Sequence, residues 1–284
     1  MLITPFDPWK SKLCTCPEKL TLNPYTGCSH QCLYCYVSSY VPNFFHCRPK
    51  KDLIPRLEKE ASMLKGELIS IANSSDPYPL LEESLRLTRA CLRVLSRYNC
   101  RIQVVTKSTL VTRDIDLFKR TASMVAMTIT TEEDKVAKAL EPFAPPSSDR
   151  LEALERLIQN GIHVSARIDP IIPFLNDNPE TLVKKLASIG VPHVTCSTYK
   201  VKHDNWKRFA QALPALAESL QPLYFERGER NGRSFYLPRS VRREIVVKVK
   251  RLVEREGMKF SSCREGFPGL NSAACDGSWL ITES

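Results

Sequence analysis

Three cysteines, Cys28, Cys32 and Cys35, lie in the stretch Asn23-Pro-Tyr-Thr-Gly-Cys-Ser-His-Gln-Cys-Leu-Tyr-Cys-Tyr36 with the spacing C-x3-C-x2-C, and Tyr34 directly precedes the third. A short loop of this spacing can turn three thiolates toward one face of an iron–sulfur cube and leave the fourth iron without a protein ligand. An open iron suits chemistry on a bound molecule, whereas a cluster held by four cysteines usually only carries electrons. The competing readings are a zinc knuckle or three unrelated buried thiols. Zinc sites usually come as two cysteine pairs or with a nearby histidine, so the cube is the better reading.

Four further cysteines fall near the two ends of the sequence. Cys14 and Cys16 form a C-x-C pair, and Cys263 and Cys275 sit in a Gly/Ser-rich tail. If both ends fold over one mouth of the same domain, four thiolates suit an auxiliary [4Fe–4S] cluster or a structural zinc. Four unpaired thiols are the plain alternative. Cys47, Cys91 and Cys100 read as structural. Eleven cysteines, an odd number at metal-like spacings, argue for reduced thiols and a cytoplasmic protein. The first residues, Met-Leu-Ile-Thr-Pro-Phe-Asp, lack a basic segment followed by an apolar one, so secretion is not expected. No run of about 18 apolar residues occurs, so no membrane span is expected.

The elements that must hold these cysteines alternate. A strand over 20–23 leads into the cysteine loop; 52–64 has helical character and 67–72 reads as a short apolar strand. The breaker-rich stretch Asn73-Ser74-Ser75-Asp76-Pro-Tyr-Pro precedes a helix over 81–98. Strands follow at 101–106, 124–130, 163–168 and 193–197, with helices at 115–121, 148–160 and 179–189 between them. Gly161 and Gly190 stand where helix C-caps are wanted. Repeated β-then-α units imply parallel strands with helical crossovers, an α/β fold. Beyond residue 205 the pattern changes to helices over 205–220, interrupted at Pro214, and 240–256. The expected organisation is an N-terminal extension over 1–19, a barrel over 20–204 and a C-terminal helical, cysteine-bearing extension over 205–284. Ligands of such sheets collect at the carboxyl ends of the strands, and the polar candidates below all lie at such ends.

The cysteine motif resembles that of the radical S-adenosylmethionine (SAM) enzymes, and the six β/α units match their partial (β/α)6 barrel. The resemblance implies a [4Fe–4S] cluster on Cys28, Cys32 and Cys35. Its open iron would bind the amino and carboxyl groups of SAM, and reduction would cleave SAM to a 5′-deoxyadenosyl radical. It also implies that Tyr34 packs beside the adenine and that Ser74, Ser75 and Asp76 occupy the place of the SAM amino-group motif. Lys107 or Arg167 could meet the SAM carboxylate, and Thr130 the ribose. Each of these is also explained as a structural polar group, and Asp76 as a cap on the turn before Pro77. The stretch Leu22-Asn-Pro-Tyr-Thr-Gly-Cys28, with Ser75-Asp-Pro-Tyr78-Pro-x-x-Glu82 and Thr106-Lys-Ser108, is similar to the spore photoproduct lyase-like branch. That lyase returns a hydrogen atom through an interior cysteine; Cys196 is the barrel-top candidate here, its alternative reading being a buried small hydrophobe.

The resemblance further implies one-electron reduction by a ferredoxin or flavodoxin. The formal charge is +10. Between Thr198 and Lys259, fifteen Lys/Arg face seven Asp/Glu, a balance of 15 − 7 = +8. Such an excess can attract phosphate backbones or simply serve as a solubilising surface, so a nucleic-acid substrate is compatible, as is a small molecule or peptide. The readings from other classes are a non-catalytic iron–sulfur or zinc protein that binds nucleic acid, and an electron-transfer protein.

Overall fold

The computed structural model describes residues 1–6, 11 and 13–281. Residues 7–10 and 12, part of the irregular stretch expected at the start, lie outside them. Twelve strands and ten α-helices are described. The strands are β1 (Thr4–Pro5), β2 (Leu20–Leu22), β3 (Tyr25–Thr26), β4 (Arg48–Pro49), β5 (Leu68–Ile71), β6 (Arg101–Thr106), β7 (Ser123–Thr128), β8 (His163–Ile171), β9 (His193–Thr198), β10 (Glu229–Asn231), β11 (Ser234–Tyr236) and β12 (Lys259–Ser262). The helices are α1 (Leu53–Ala61), α2 (Glu82–Leu85), α3 (Leu87–Leu95), α4 (Ile115–Phe118), α5 (Asp134–Leu140), α6 (Ser147–Gln159), α7 (Glu180–Ser188), α8 (His203–Ala212), α9 (Pro214–Gln221) and α10 (Arg239–Arg255).

The central sheet has eight strands in the order β1-β2-β5-β6-β7-β8-β9-β12. All neighbours pair in parallel except β1, which is antiparallel to β2. The two ends of that order do not pair, so the sheet is an open, partial barrel. The six strands expected from the alternation are present. The extension adds a seventh parallel strand, because β12 docks on the free edge of β9 with Phe260 opposite Val194. Its sequence, Lys-Phe-Ser-Ser, has no apolar alternation that would announce it.

The helices cover the outside of the sheet through their apolar stripes. In α6, Ala153, Leu154 and Leu157 are buried, and Gly161, at φ +75°, ends the helix. Each such leucine stabilises the layer by about 1.5–3 kcal/mol. The helix expected over 81–98 is two helices, broken at Arg86, whose φ is +51°. The break has a cause in Glu82. Its buried carboxylate accepts the N–H groups of Thr88 (2.8 Å) and Arg89 (3.1 Å), capping the first turn of α3, and it also takes Tyr25 OH and Arg113.

The barrel interior is polar. Ser70 and Gln103 on β5 and β6, Ser165 on β8, His193 and Thr195 on β9 and Ser261 on β12 are all buried. The segment 271–281 enters this space and bonds three of them, Gln103, Thr195 and Ser261. Gln103 donates to the Asp276 carbonyl (2.6 Å), Thr195 to the Cys275 carbonyl (2.8 Å), and Lys19 pairs with the Asp276 carboxylate (2.6 Å). Gly277 must be glycine: its φ is +78°, and a Cβ there would come within 3.0–3.2 Å of Met124, Ser165 and His193. No described helix is long and apolar enough to cross a membrane.

Candidate functional site

A cavity of about 310 Å³ opens at the carboxyl ends of the parallel strands. That volume lies at the small end of the range for small-molecule sites. Its lining comes from the cysteine loop, from 72–76 after β5, from the ends of β6, β7, β8 and β9, and from both extensions. Cys28, Cys32 and Cys35 all face it, as the spacing implied.

The loop owes its shape to a few backbone constraints. Gly27 has φ +88°, and a Cβ there would lie 2.4 Å from the Phe44 carbonyl. Cys28 N–H donates to that same carbonyl (2.8 Å), and Gln31 turns through φ +53° between the first two cysteines. Leu33 N–H donates to Leu140 O (2.9 Å), which hangs the loop on the end of α5. From the other side, Arg208 of α8 donates to the Cys35 carbonyl (2.9 Å), and Asn205 to the Tyr34 carbonyl (3.0 Å).

Burial pushes all three thiols upward, Cys32 to about 12, with Asp76 and Cys32 adding to the effect on Cys28 and Glu141 adding to that on Cys32. Thiols so disfavoured as anions by burial become thiolates readily only beside a cationic centre. Three soft thiolate donors presented to one cavity by a single short loop fit a [4Fe–4S] cube that keeps one iron open.

Around the cysteines stand most of the polar residues expected there. Tyr34 lies under Lys107, whose Nζ is 5.5 Å from the ring centroid. Burial opposes the charge of Lys107, but Cys32 and Glu141 outweigh it and raise its pKa. Ser74 and Ser75 line the cavity. Asp76 lines it too, but its oxygens are engaged by Tyr78 N–H (2.9 Å), Thr106 Oγ1 (2.7 Å) and Lys107 N–H (2.7 Å), with His30 Nε2 3.2 Å away. Burial works against its ionisation, yet His30 and the N–H donors hold its carboxyl at about 2. Asp76 therefore does cap the turn, and ties the cysteine loop to β6. Arg167 reaches the cavity paired with Asp169 (2.7 Å) and hydrogen-bonded to the Cys263 thiol.

Two expected positions differ. β7 ends at Thr128, two residues early, so Thr128 lines the cavity; Thr130 is buried outside it, with its carbonyl bonded by Asn176 (2.6 Å). Cys196 faces the barrel wall between β8 and β12, fully buried and outside the lining. A small apolar side chain suits that packed position.

Other contributors gave no local signal. Glu141 accepts from Tyr34 OH and pairs with Arg150 (2.5 Å), both wholly buried, and so orients the aromatic ring. Ser197, Lys200, Lys19, Arg264 and Asp276 also reach the cavity. The two extensions do meet there. The Cys275 and Cys16 sulfurs are 3.4 Å apart, and Cys14 and Cys263 lie within electrostatic reach of Cys16.

A parallel partial barrel carrying three cysteines on the loop after its first parallel strand defines a class, and the Radical SAM superfamily model matches residues 22–189. The chain belongs to the radical SAM superfamily, which implies a [4Fe–4S] cluster and SAM. It is 36% identical over 165 residues to an uncharacterised protein of Methanocaldococcus jannaschii, covering 56% of this chain and 62% of that one. It is 31% identical over 197 residues to an uncharacterised protein of Acidianus two-tailed virus, covering 61% and 64%. These matches thus span less than two thirds of either relative. A radical SAM Nα-GlyT isomerase of Pseudomonas phage M6 is 23% identical over 283 residues, covering 93% of this chain and 57% of that one. In fold the chain resembles spore photoproduct lyase, with a TM-score of 0.67, 16% identity, and coverage of 89% and 78%.

Proposed function

We propose that the chain cleaves SAM reductively and removes a hydrogen atom from an anionic, nucleic-acid substrate. The observation that carries this reading is the convergence of Cys28, Cys32 and Cys35 on one cavity that also holds Tyr34, Ser74, Ser75, Lys107 and Arg167. Cluster and SAM together supply a carbon-centred radical; the chain's own residues bind, orient and exclude water. Cys28, Cys32 and Cys35 hold the cluster. The Lys107 and Arg167 cations suit a carboxylate, the hydroxyls of Ser74, Ser75 and Thr128 suit amino and ribose groups, and Tyr34 and Pro170 offer flat apolar contact. A ferredoxin or flavodoxin supplies the electron. Cys14, Cys16, Cys263 and Cys275 hold an auxiliary metal, as a cluster or as zinc.

The substrate class rests on charge at the mouth. The basic excess divides: Arg243, Lys248, Arg251 and Arg255 of α10 face solvent on the outer wall, whereas Lys202 and Arg233 gather near Arg264, which lines the cavity. Burial and then these two guanidinium neighbours lower the Lys202 pKa, so the three cations repel one another. An anion relieves that repulsion. The fold relative was solved with a dinucleoside spore photoproduct, and the phage relative is called a GlyT isomerase, in keeping with this choice.

After anaerobic reconstitution, dithionite and SAM should yield 5′-deoxyadenosine, measured chromatographically, and Cys32→Ala should abolish it. Absence of product, or product unaffected by the substitution, sinks the enzyme reading. Binding to single- and double-stranded DNA and RNA should weaken steeply with salt, and Lys202→Ala/Arg233→Ala should flatten the slope by about two phosphate contacts. A salt-independent response removes the nucleic-acid assignment and leaves a small molecule or peptide.

A further inference from the structure

We infer that Cys14, Cys16, Cys263 and Cys275 bind a single zinc ion through four thiolates and so lock the two ends of the chain together at the cavity rim. The inference rests on reading these thiols as a metal centre, and is independent of the radical chemistry.

The cluster of thiols is assembled by the fold. Lys19 and Asp276 pair inside the barrel (2.6 Å), which sets the segments carrying Cys16 and Cys275 side by side. The Cys275 carbonyl is fixed by Thr195 (2.8 Å), and the backbone N–H of Cys263 by the Cys196 carbonyl (2.8 Å). The Cys16 and Cys275 sulfurs then stand 3.4 Å apart, with Cys14 two residues away and within electrostatic reach of Cys16. Thiolates at ~2.3 Å from one tetrahedral zinc are about 3.8 Å from each other. A cube distributes its thiolates over separate irons and holds them much farther apart, so the spacing favours one ion.

Charge supports the same conclusion. Zinc with four thiolates carries a net charge of −2, and Lys19 and Arg264 lie within electrostatic reach of Cys16 and Cys14. Cys263 is the ligand that must move. Its thiol hydrogen-bonds Arg167, and among the described residues no three candidate ligands yet surround one point. Binding turns that thiol toward Cys16 and releases the protons of all four thiols, so affinity falls as pH falls.

The test is zinc and iron content of the full-length protein, purified anaerobically and reconstituted. About one zinc per chain is expected, beside about four irons. Cys14→Ser/Cys275→Ser should reduce zinc at least tenfold and leave iron unchanged. Because that variant can misfold, zinc-edge X-ray absorption on the unsubstituted holoprotein gives a second readout, with four sulfurs expected at about 2.3 Å. Roughly eight irons without zinc, with the second four lost in Cys14→Ser/Cys275→Ser, overturns zinc and keeps a metal centre. Neither metal at this site, or a Cys16–Cys275 disulfide by thiol counting, overturns both.

Discussion

His193 shows how much of the molecule's pH response can rest in one side chain. It is completely buried, with Nδ1 2.8 Å from Ser165 Oγ and Nε2 2.9 Å from Ser261 Oγ, and Trp279 meets it edge-on. Burial is the main cause that lowers its pKa from 6.5 to about 4; Arg167 adds to the shift and Asp276 opposes it. The folded state therefore stays neutral where the unfolded chain takes up a proton. Stability is fully present above pH 6.5 and declines between about 6.5 and 4, by about 3 kcal/mol in all. Urea denaturation as a function of pH should show that slope, and His193→Gln should remove most of it. An unchanged slope would place the acid sensitivity elsewhere.

At the scale of elements, the helix after the barrel's last unit is a clamp on the cysteine loop. Asn205, buried in α8, donates to the carbonyls of Tyr34 (3.0 Å) and Lys200 (3.1 Å) and accepts from Tyr199 OH (3.0 Å) and Lys202 N–H (2.8 Å). Asn205→Leu leaves several of those groups without partners, at about 2–3 kcal/mol. The expected outcome is a folded protein, by circular dichroism, that loses iron faster than the unsubstituted chain on anaerobic desalting. Equal retention would show that the loop holds its shape unaided. The elements themselves were largely legible. Arg101–Thr106 is rich in β-branched residues and forms β6, and the stripe of Leu151, Leu154 and Leu157 forms α6, because both signals are local. The cysteine loop was legible because its chemistry is also local. Glu141 behind Tyr34 was not, since the two are 107 residues apart and only the fold joins them. Thr130 and Cys196 misled for a related reason: a strand end shifted by two residues, or a side chain turned to the other face of its strand, leaves no mark on composition.

For the whole molecule, the deciding interaction is the buried pair of Lys19 and Asp276. Asp276→Ala strands an ammonium inside the barrel and removes the partner that fixes the inserted segment, and should cost on the order of 3–5 kcal/mol in thermal or urea unfolding. Lys19→Met/Asp276→Leu should recover much of that loss. A single substitution costing under about 1 kcal/mol would mean that water reaches the pair. The pair spans 257 residues of sequence, and it sets a timetable as well as a geometry. During synthesis the cysteine loop emerges early, but the cavity above it has no complete wall until residues 259–281 have been made and have entered the barrel. The ribosome must therefore finish nearly the entire described chain before that cavity has its complete wall, which makes closing the site one of the last steps in folding this region.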